Sequence, residues 1–356
     1  MLQRVDRLRQ RLKELGLDAL LISCLTNIRY LFGFTGSNAI ALVFPEVSYF
    51  LTDRRYTEQA RQQVAGAEIR IAQHDLISEL VKVARLQQPL RLGVEAEHLS
   101  LKHFHTLKKK LPKAHLVASE RVVERLASVK EDDEVAHIRQ AGEICARVFA
   151  EILPLLKVGV SELEISAELS YRTRRLGSER DPFEPIVASG KRSALPHGIS
   201  SPKTLAAGDL LIIDFGATVA GYAADVTRTV VVGEASPKQH DMAAAVLDAL
   251  TRAEHAARPG MTGRELDRVA RAVLEERGFG KYFQHALGHG LGLEVHGLPR
   301  IGEQSRDPLE AGNVITLEPG VYLPELGGVR IEDDFVLTEA GVENLTPFPR
   351  EFVCVG

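Results

Sequence analysis

The chain has 356 residues, 45% of them hydrophobic, with 44 basic against 48 acidic side chains and a net charge of −4, which fits one large or two ordinary domains with substantial cores. No segment has the basic dominance of a nucleic-acid binder, and no run of about 18 apolar residues suggests a membrane span. Three cysteines, Cys24, Cys145 and Cys354, are odd in number and far apart, which argues against a disulfide framework or a cysteine zinc site and fits a reducing cytoplasm.

At the N-terminus Leu2, Val5, Leu8, Leu12 and Leu15 share one helical face. Asp6 and Glu14 interrupt the basic residues Arg4 to Lys13, so the segment reads as an amphipathic helix rather than a targeting peptide. Strands are expected over Ala19–Ile22, Ala39–Phe44, Ser48–Thr52, Ile69–Ala72, Arg91–Glu95 and His115–Ala118. Helical patterns lie between them at Asp53–Val64, Ile77–Gln87 and Leu101–Leu111. Residues 1–125 therefore read as a small α/β layer domain. His98, His103 and His105 lack metal-ligand spacing and flank a lysine-rich helix, which reads as a solvated face.

The pattern changes near Val129, and a long helix is expected over Glu131–Leu156, with Glu134, Arg139 and Glu143 on polar positions. The second domain, 126–356, carries an internal repeat. At an offset of 101, Gly159 aligns with Gly260, Ser161 with Thr262, Glu164 with Glu265, and Gly177 with Gly278. Each copy reads as a capping box, an amphipathic helix and a glycine stop.

Downstream of each copy stand two acids in apolar, strand-like surroundings. Asp214 (IIDFG) and Asp225 (AADVTRT) follow the first, and Glu318 (ITLEPGVY) and Glu332 (GGVRIEDD) follow the second. Four carboxylates brought together repel unless cations join them. Two divalent ions would balance the four charges, which points to a two-metal hydrolytic centre. His289, in LGHGLGLEVHG, is the fifth candidate, and its flanking glycines would let a ligand approach the backbone. His197, His285 and His296 would supply proton donors near an oxyanion or leaving group. Arg330, two before Glu332, would share its strand face and orient a ligating carboxylate. Four oxygen ligands to one imidazole favour manganese or cobalt over a thiolate zinc site, with iron(II) and zinc left open.

Five separated motifs in order, VASGKRSALPHG, DLLIIDFGATVAGYAADVTRT, HALGHGLGLEVHG, VITLEPGVY and GGVRIEDD, resemble family M24. This is the metallopeptidase family of Xaa-Pro dipeptidases (prolidases) and Xaa-Pro aminopeptidases. The resemblance implies a creatinase-like N-terminal α/β domain and a pseudo-twofold pita-bread catalytic domain. It implies Asp214, Asp225, His289, Glu318 and Glu332 as metal ligands, with Asp225 and Glu332 bridging. It implies hydrolysis of the bond between an N-terminal residue and proline by a dimetal-bridged hydroxide. Glu318 would be the proton acceptor, His197 and His296 would face the scissile carbonyl, and His285 and Arg330 would stand behind the ligands. Arg300, in HGLPRI, resembles a position that contacts the free proline carboxylate in dipeptidases, and a surface arginine is the alternative. Relatives of this type often dimerise, so a homodimer is expected. A non-catalytic peptide-binding protein and a creatinase-like amidinohydrolase stay open as readings of the same fold.

Overall fold

The computed structural model describes residues 2–356, in two compact units, one ending at Ala127 and one over Ser128–Gly356. The first is a six-stranded mixed sheet in the order β4-β3-β2-β1-β5-β6. Its strands are β1 (Ala19–Ile22), β2 (Ala39–Val43), β3 (Ser48–Asp53), β4 (Glu68–Ala72), β5 (Leu90–Glu95) and β6 (Ala114–Ser119). Helices α1 (Leu2–Glu14), α2 (Leu25–Phe32), α3 (Thr57–Gln63), α4 (Leu76–Leu80), α5 (Leu101–Lys110) and α6 (Val122–Ser128) connect or flank them.

Two helices come out shorter than the sequence suggests. Asp53 caps a turn of 3-10 helix before α3 by accepting from the Arg55 N–H. The expected helix over Ile77–Gln87 breaks into α4 and a separate 3-10 turn at Ala84–Gln87. Helix α2 has no counterpart in the sequence reading. No side chain of its own caps it. The buried Glu95 instead accepts the Ser23 and Cys24 N–H groups at its start, from a strand 71 positions away.

The second unit holds the duplication. Helices α7 (Asp132–Ile152) and α8 (Glu162–Arg175) precede β7 (Ile186–Ser189), β8 (Leu210–Val219) and β9 (Tyr222–Val232). Helices α9 (Pro237–Ala256) and α10 (Gly263–Glu276) then precede β10 (Gly288–Gly290), β11 (Gly297–Ile301), β12 (Val314–Leu317), β13 (Gly320–Leu323), β14 (Gly327–Arg330), β15 (Asp333–Thr338) and β16 (Gly341–Asn344). A last strand, β17 (Cys354–Val355), joins the edge of β9. The sheets run β17-β9-β8-β7 and β11-β10-β12-β15-β16, with β13-β14 as a separate hairpin.

The two halves match down to single hydrogen bonds. Ser161 and Thr262 each form a full capping box, with Glu164 and Glu265. Gly159 donates to Leu205 O as Gly260 does to Leu309 O, and Glu162 to Lys203 O as Gly263 does to Asp307 O. Gly159, Gly260, Gly177 and Gly278 all have positive φ, which a side chain would resist. Each helix pair covers its own sheet. One core joins α7 and α8 to β7–β9 through Val148, Leu169, Ile213 and Val226. The other joins α9 and α10 to the second sheet through Val246, Leu266, Ile315 and Phe335. Glu134 is not on a solvated face of α7: it is buried, accepts from the Tyr222 hydroxyl at 2.6 Å, and reaches back to the Glu131 N–H.

Candidate metal centre

The hairpin β8–β9 turns through Ala220 and Gly221, both at positive φ, as a two-residue connection requires. Its register pairs Gly216 with Asp225 and Asp214 with Thr227. Asp214 and Asp225 are therefore diagonal neighbours on one face. The second pair of acids is placed differently. Leu317 pairs with Asp333 and Gly320 with Arg330, so Glu318 and Glu332 face each other where the ladder opens. Neither lies inside a continuous strand, contrary to the sequence reading, because the chain changes sheet at both positions. Glu332 is anchored across to the first half: its N–H donates to Thr227 O, and its carboxylate accepts from the Thr227 hydroxyl at 2.6 Å.

One cleft of about 1260 Å³ brings together all ten residues singled out in the sequence: Asp214, Asp225, Glu318, Glu332, His197, His285, His289, His296, Arg300 and Arg330. Ligand atoms of Asp225, His289 and Glu332 lie within 4.8 Å of one another. His289 Nε2 is 3.8 Å from Asp225 and 3.6 Å from Glu318. Its Nδ1 lies 3.2 Å from Gly290 O. A carbonyl only accepts, so Nδ1 carries the proton and the Nε2 lone pair faces the acids, the tautomer a metal needs. Burial, with His296 beside it, lowers the His289 pKa to about 4.

The glycines around His289 serve the sheet rather than a ligand. A Cβ at Gly288 would collide with Thr316 O, and one at Gly290 with Leu298 O. Strand β10 is wedged between β11 and β12, and only glycine permits that backbone approach.

The acids are held in a state that resists charge. Burial raises the pKa of Asp225 far above the usual carboxylate range, and Glu332, Asp214, Asp334 and Glu318 add to the shift. Burial and Glu332 do the same to Glu318, and burial with Asp214 moves Glu332 up to about 8. Asp214 is raised by burial against the pull of Arg330. Asp214 Oδ1 and Asp225 Oδ1 are buried with no hydrogen-bond partner among the described residues. Orphaned carboxylate oxygens beside an imidazole lone pair fit divalent cations, which would replace the missing partners and reverse the upward shifts.

Arg330 ends β14 and Glu332 follows just outside it, yet both side chains meet the Thr227 hydroxyl, which accepts from Arg330 Nε at 3.1 Å and donates to Glu332 at 2.6 Å. Its guanidinium donates to Asp214 at 2.5 Å, to the Tyr322 hydroxyl at 2.9 Å, to Thr227 Oγ1 and to Pro196 O. The Tyr322 hydroxyl accepts that bond and donates to His285 Nε2 at 2.9 Å, while His285 Nδ1 donates to Ala286 O. Burial and Arg330 lower the His285 pKa to about 3. His285 is thus a neutral, fully engaged ring, not a proton donor. His197 and His296 are exposed on the cleft wall, and the His296 ring meets His289 edge-on at 4.5 Å between centroids. Arg300 pairs with His289 across β10–β11, so both side chains share a face. Its guanidinium forms no ion pair or hydrogen bond among the described residues.

Sequence reasoning missed Thr227, Tyr322, Asp333 and Asp334. Asp334 is fully buried and accepts the Asp225 N–H. Asp333 pairs with Arg228 at 2.7 Å and with Arg350, while Arg228 also donates to Glu332 O. The run of three acids in RIEDDF was the available signal.

The metallopeptidase family M24 model matches residues 136–339, and the creatinase/prolidase N-terminal domain model matches 4–129. The chain is 37% identical to the Xaa-Pro dipeptidase of Pyrococcus furiosus, over 99% of this chain and all of that one. Among solved structures, an Xaa-Pro dipeptidase from Bacillus anthracis superposes with a TM-score of 0.96 at 38% identity, covering 99% of both chains. An X-Pro aminopeptidase from Thermotoga maritima gives 0.89 at 40% identity, covering 97% of this chain and all of that one. With buried acids and a histidine converging between two duplicated halves, and a creatinase/prolidase-type domain ahead of them, the chain belongs to metallopeptidase family M24.

Proposed function

We propose that the protein hydrolyses the peptide bond between an N-terminal residue and proline, with residues 126–356 as the catalytic domain. The observation that carries this is the pair of buried oxygens, Asp214 Oδ1 and Asp225 Oδ1, without a partner among the described residues, with His289 Nε2 3.8 Å from the other oxygen of Asp225. Asp214, Asp225, His289, Glu318 and Glu332 would hold two divalent ions, manganese or cobalt by their hard oxygen-rich ligand set. Such ions supply an acidified water and a sink for charge on the carbonyl oxygen.

The chain's own groups do the rest. Glu318, between His285 and His289 at 3.8 and 3.6 Å, takes a proton from the attacking water and returns it to the leaving nitrogen. His197 and His296, exposed to the cleft, donate to the developing oxyanion. Arg330 and Tyr322 keep Asp214 and His285 in place. An Xaa-Pro amide has no N–H, so recognition falls on the shape of the cleft and on the chain ends. Arg300, whose guanidinium has no partner among the described residues and which lies on the His289 face, would meet a free proline carboxylate, and that contact would favour dipeptides.

A chelator-treated sample should lose proline release from Xaa-Pro dipeptides and regain it with Mn²⁺ or Co²⁺. Full activity in protein shown to be metal-free by elemental analysis would overturn the reading. The full set of acids argues against a binding protein without turnover, and against a metal-independent creatinase-like hydrolase. Measured release of proline against creatine turnover separates these.

A further inference from the structure

The segment from Phe283 to Leu287 leads into β10 and carries His285, yet it belongs to no strand. Its backbone groups must find partners elsewhere. They find them on one ion pair of helix α10. Asp267, 1% exposed, accepts the Leu287 N–H at 3.0 Å through Oδ1. The same carboxylate accepts from Arg271 Nε and Nη2 at 3.0 and 3.1 Å. Arg271 also donates through Nη1 to Phe283 O and through Nη2 to His285 O, both at 3.0 Å, stacks over the Phe283 ring at 4.3 Å, and lies 3.2 Å from the more exposed Glu303 carboxylate. The Leu287 carbonyl in turn accepts the Glu318 N–H at 2.8 Å. One carboxylate–guanidinium pair thus fixes residues 283, 285 and 287, two positions short of His289, and is one bond removed from Glu318.

We propose that Asp267 and Arg271 form a positioning clamp that sets the His285–His289 segment and the Glu318 backbone for metal binding; this rests on the metallopeptidase reading above. A planar guanidinium is suited to the task because its fork makes two bonds to the carboxylate and two to carbonyls, four in all, where an ammonium has only three N–H groups. The first half also anchors a loop on a buried acid of the equivalent helix, from a different position and with an arginine that is not on that helix. Glu162 of α8, fully buried, accepts N–H and hydroxyl bonds from Ser189 and Ser201 and pairs with Arg192. That brackets the loop carrying His197.

The test uses full-length Arg271→Lys and Asp267→Asn. Lysine keeps the charge but loses the fork; asparagine keeps an acceptor for the Leu287 N–H. Each is stripped of metal, then titrated with Mn²⁺, with the thermal midpoint of the metal-free form measured alongside. Arg252→Ala, which removes an exposed ion pair with Asp248 on the neighbouring helix, is the control. Mn²⁺ affinity should fall about tenfold in both clamp variants, the usual effect of removing an outer support of metal ligands. It should stay unchanged in the control, and kcat should fall with little change in KM. Lowered thermal midpoints with wild-type Mn²⁺ affinity would mean a purely structural pair and overturn the clamp. A wild-type chain that binds none of Mn²⁺, Co²⁺, Fe²⁺ and Zn²⁺ overturns the metal-dependent reading instead, and the clamp's role with it.

Discussion

Removing metal should turn the cluster of acids into a stability cost that grows with pH. Asp214, Asp225, Glu318 and Glu332 all have folded-state pKa values raised, chiefly by burial. An acid with a raised pKa binds its proton more tightly when folded. Its contribution is therefore greatest below the unfolded pKa and is lost as pH rises through the folded one. For Glu332 that window runs from 4.5 to about 8. His285 and His289 act in the opposite sense. Their folded values are lowered to about 3 and about 4, so they favour the folded state increasingly until their unfolded value of 6.5 is passed. Over pH 6.5–8 the acids still titrate, while the two histidines, half protonated in the unfolded chain at 6.5, together offset about 0.8 kcal/mol. Over those 1.5 units, Glu332 alone costs about 2 kcal/mol at about 1.4 kcal/mol per unit. Net of the histidines about 1 kcal/mol remains, which for a domain of this size lowers the thermal midpoint by about 2–4 °C. Asp225 and Glu318 shift the same way and add to it as a coupled set. Saturating Mn²⁺ should reverse the slope, because the ion binds the deprotonated acids. Scanning calorimetry of metal-free and Mn²⁺-loaded protein at pH 6.5, 7.2 and 8 checks both slopes. A metal-free midpoint that stays flat or rises over this interval would refute the reasoning.

Three further outcomes follow from the same geometry. Asp225→Asn removes a buried acid whose ionisation is opposed by burial and by Glu332, Asp214 and Asp334. It should leave the metal-free midpoint as high as the wild type or higher, yet cut activity at least about 100-fold, since even outer supports of metal ligands cost about 10–100-fold; a lowered midpoint would contradict the electrostatic account. Gly290→Ala forces a Cβ into the Leu298 carbonyl and should cost more than about 3 kcal/mol. Gly292→Ala, two residues on, meets only the flexible end of Lys130 at 3.1 Å and should change stability by less than about 0.5 kcal/mol; urea titrations of the pair read the contrast. Arg300→Ala should weaken kcat/KM for Xaa-Pro dipeptides by about 10-fold or more, the loss of a charge-assisted bond, and spare Xaa-Pro-Yaa peptides; equal effects on both would remove the carboxylate contact.

The four acids and His289 were visible in the sequence because each interrupts an apolar or glycine-rich run, where a polar side chain needs a reason, whereas Arg300 stood out only through the family resemblance. Their partners were not. Thr227 matters only because it faces Glu332, 105 positions on, and Asp334 because it faces Asp225, 109 positions back. Asp267 looks like one more solvated acid on an amphipathic helix until the 283–289 segment folds over it. The capping boxes at Ser161 and Thr262 were legible because their partners lie three residues away. The glycines beside His289 were noticed for the wrong reason, since only the packed sheet shows that strand backbones, not a ligand, occupy the space.

The duplication also explains where the symmetry stops. In the first half an unbroken hairpin with a two-residue turn sets Asp214 and Asp225 diagonally, 11 positions apart. In the second half the acids are 14 apart and directly opposed, and the strands between them peel off as the separate hairpin β13–β14. That hairpin supplies Tyr322 and Arg330, the two groups that link His285 to Asp214. An unbroken second hairpin would leave Arg330 within a continuous ladder and Asp214 without its guanidinium. The departure from the repeat is therefore what provides the guanidinium paired with Asp214 and ties that acid of the first half to the histidine-bearing segment of the second.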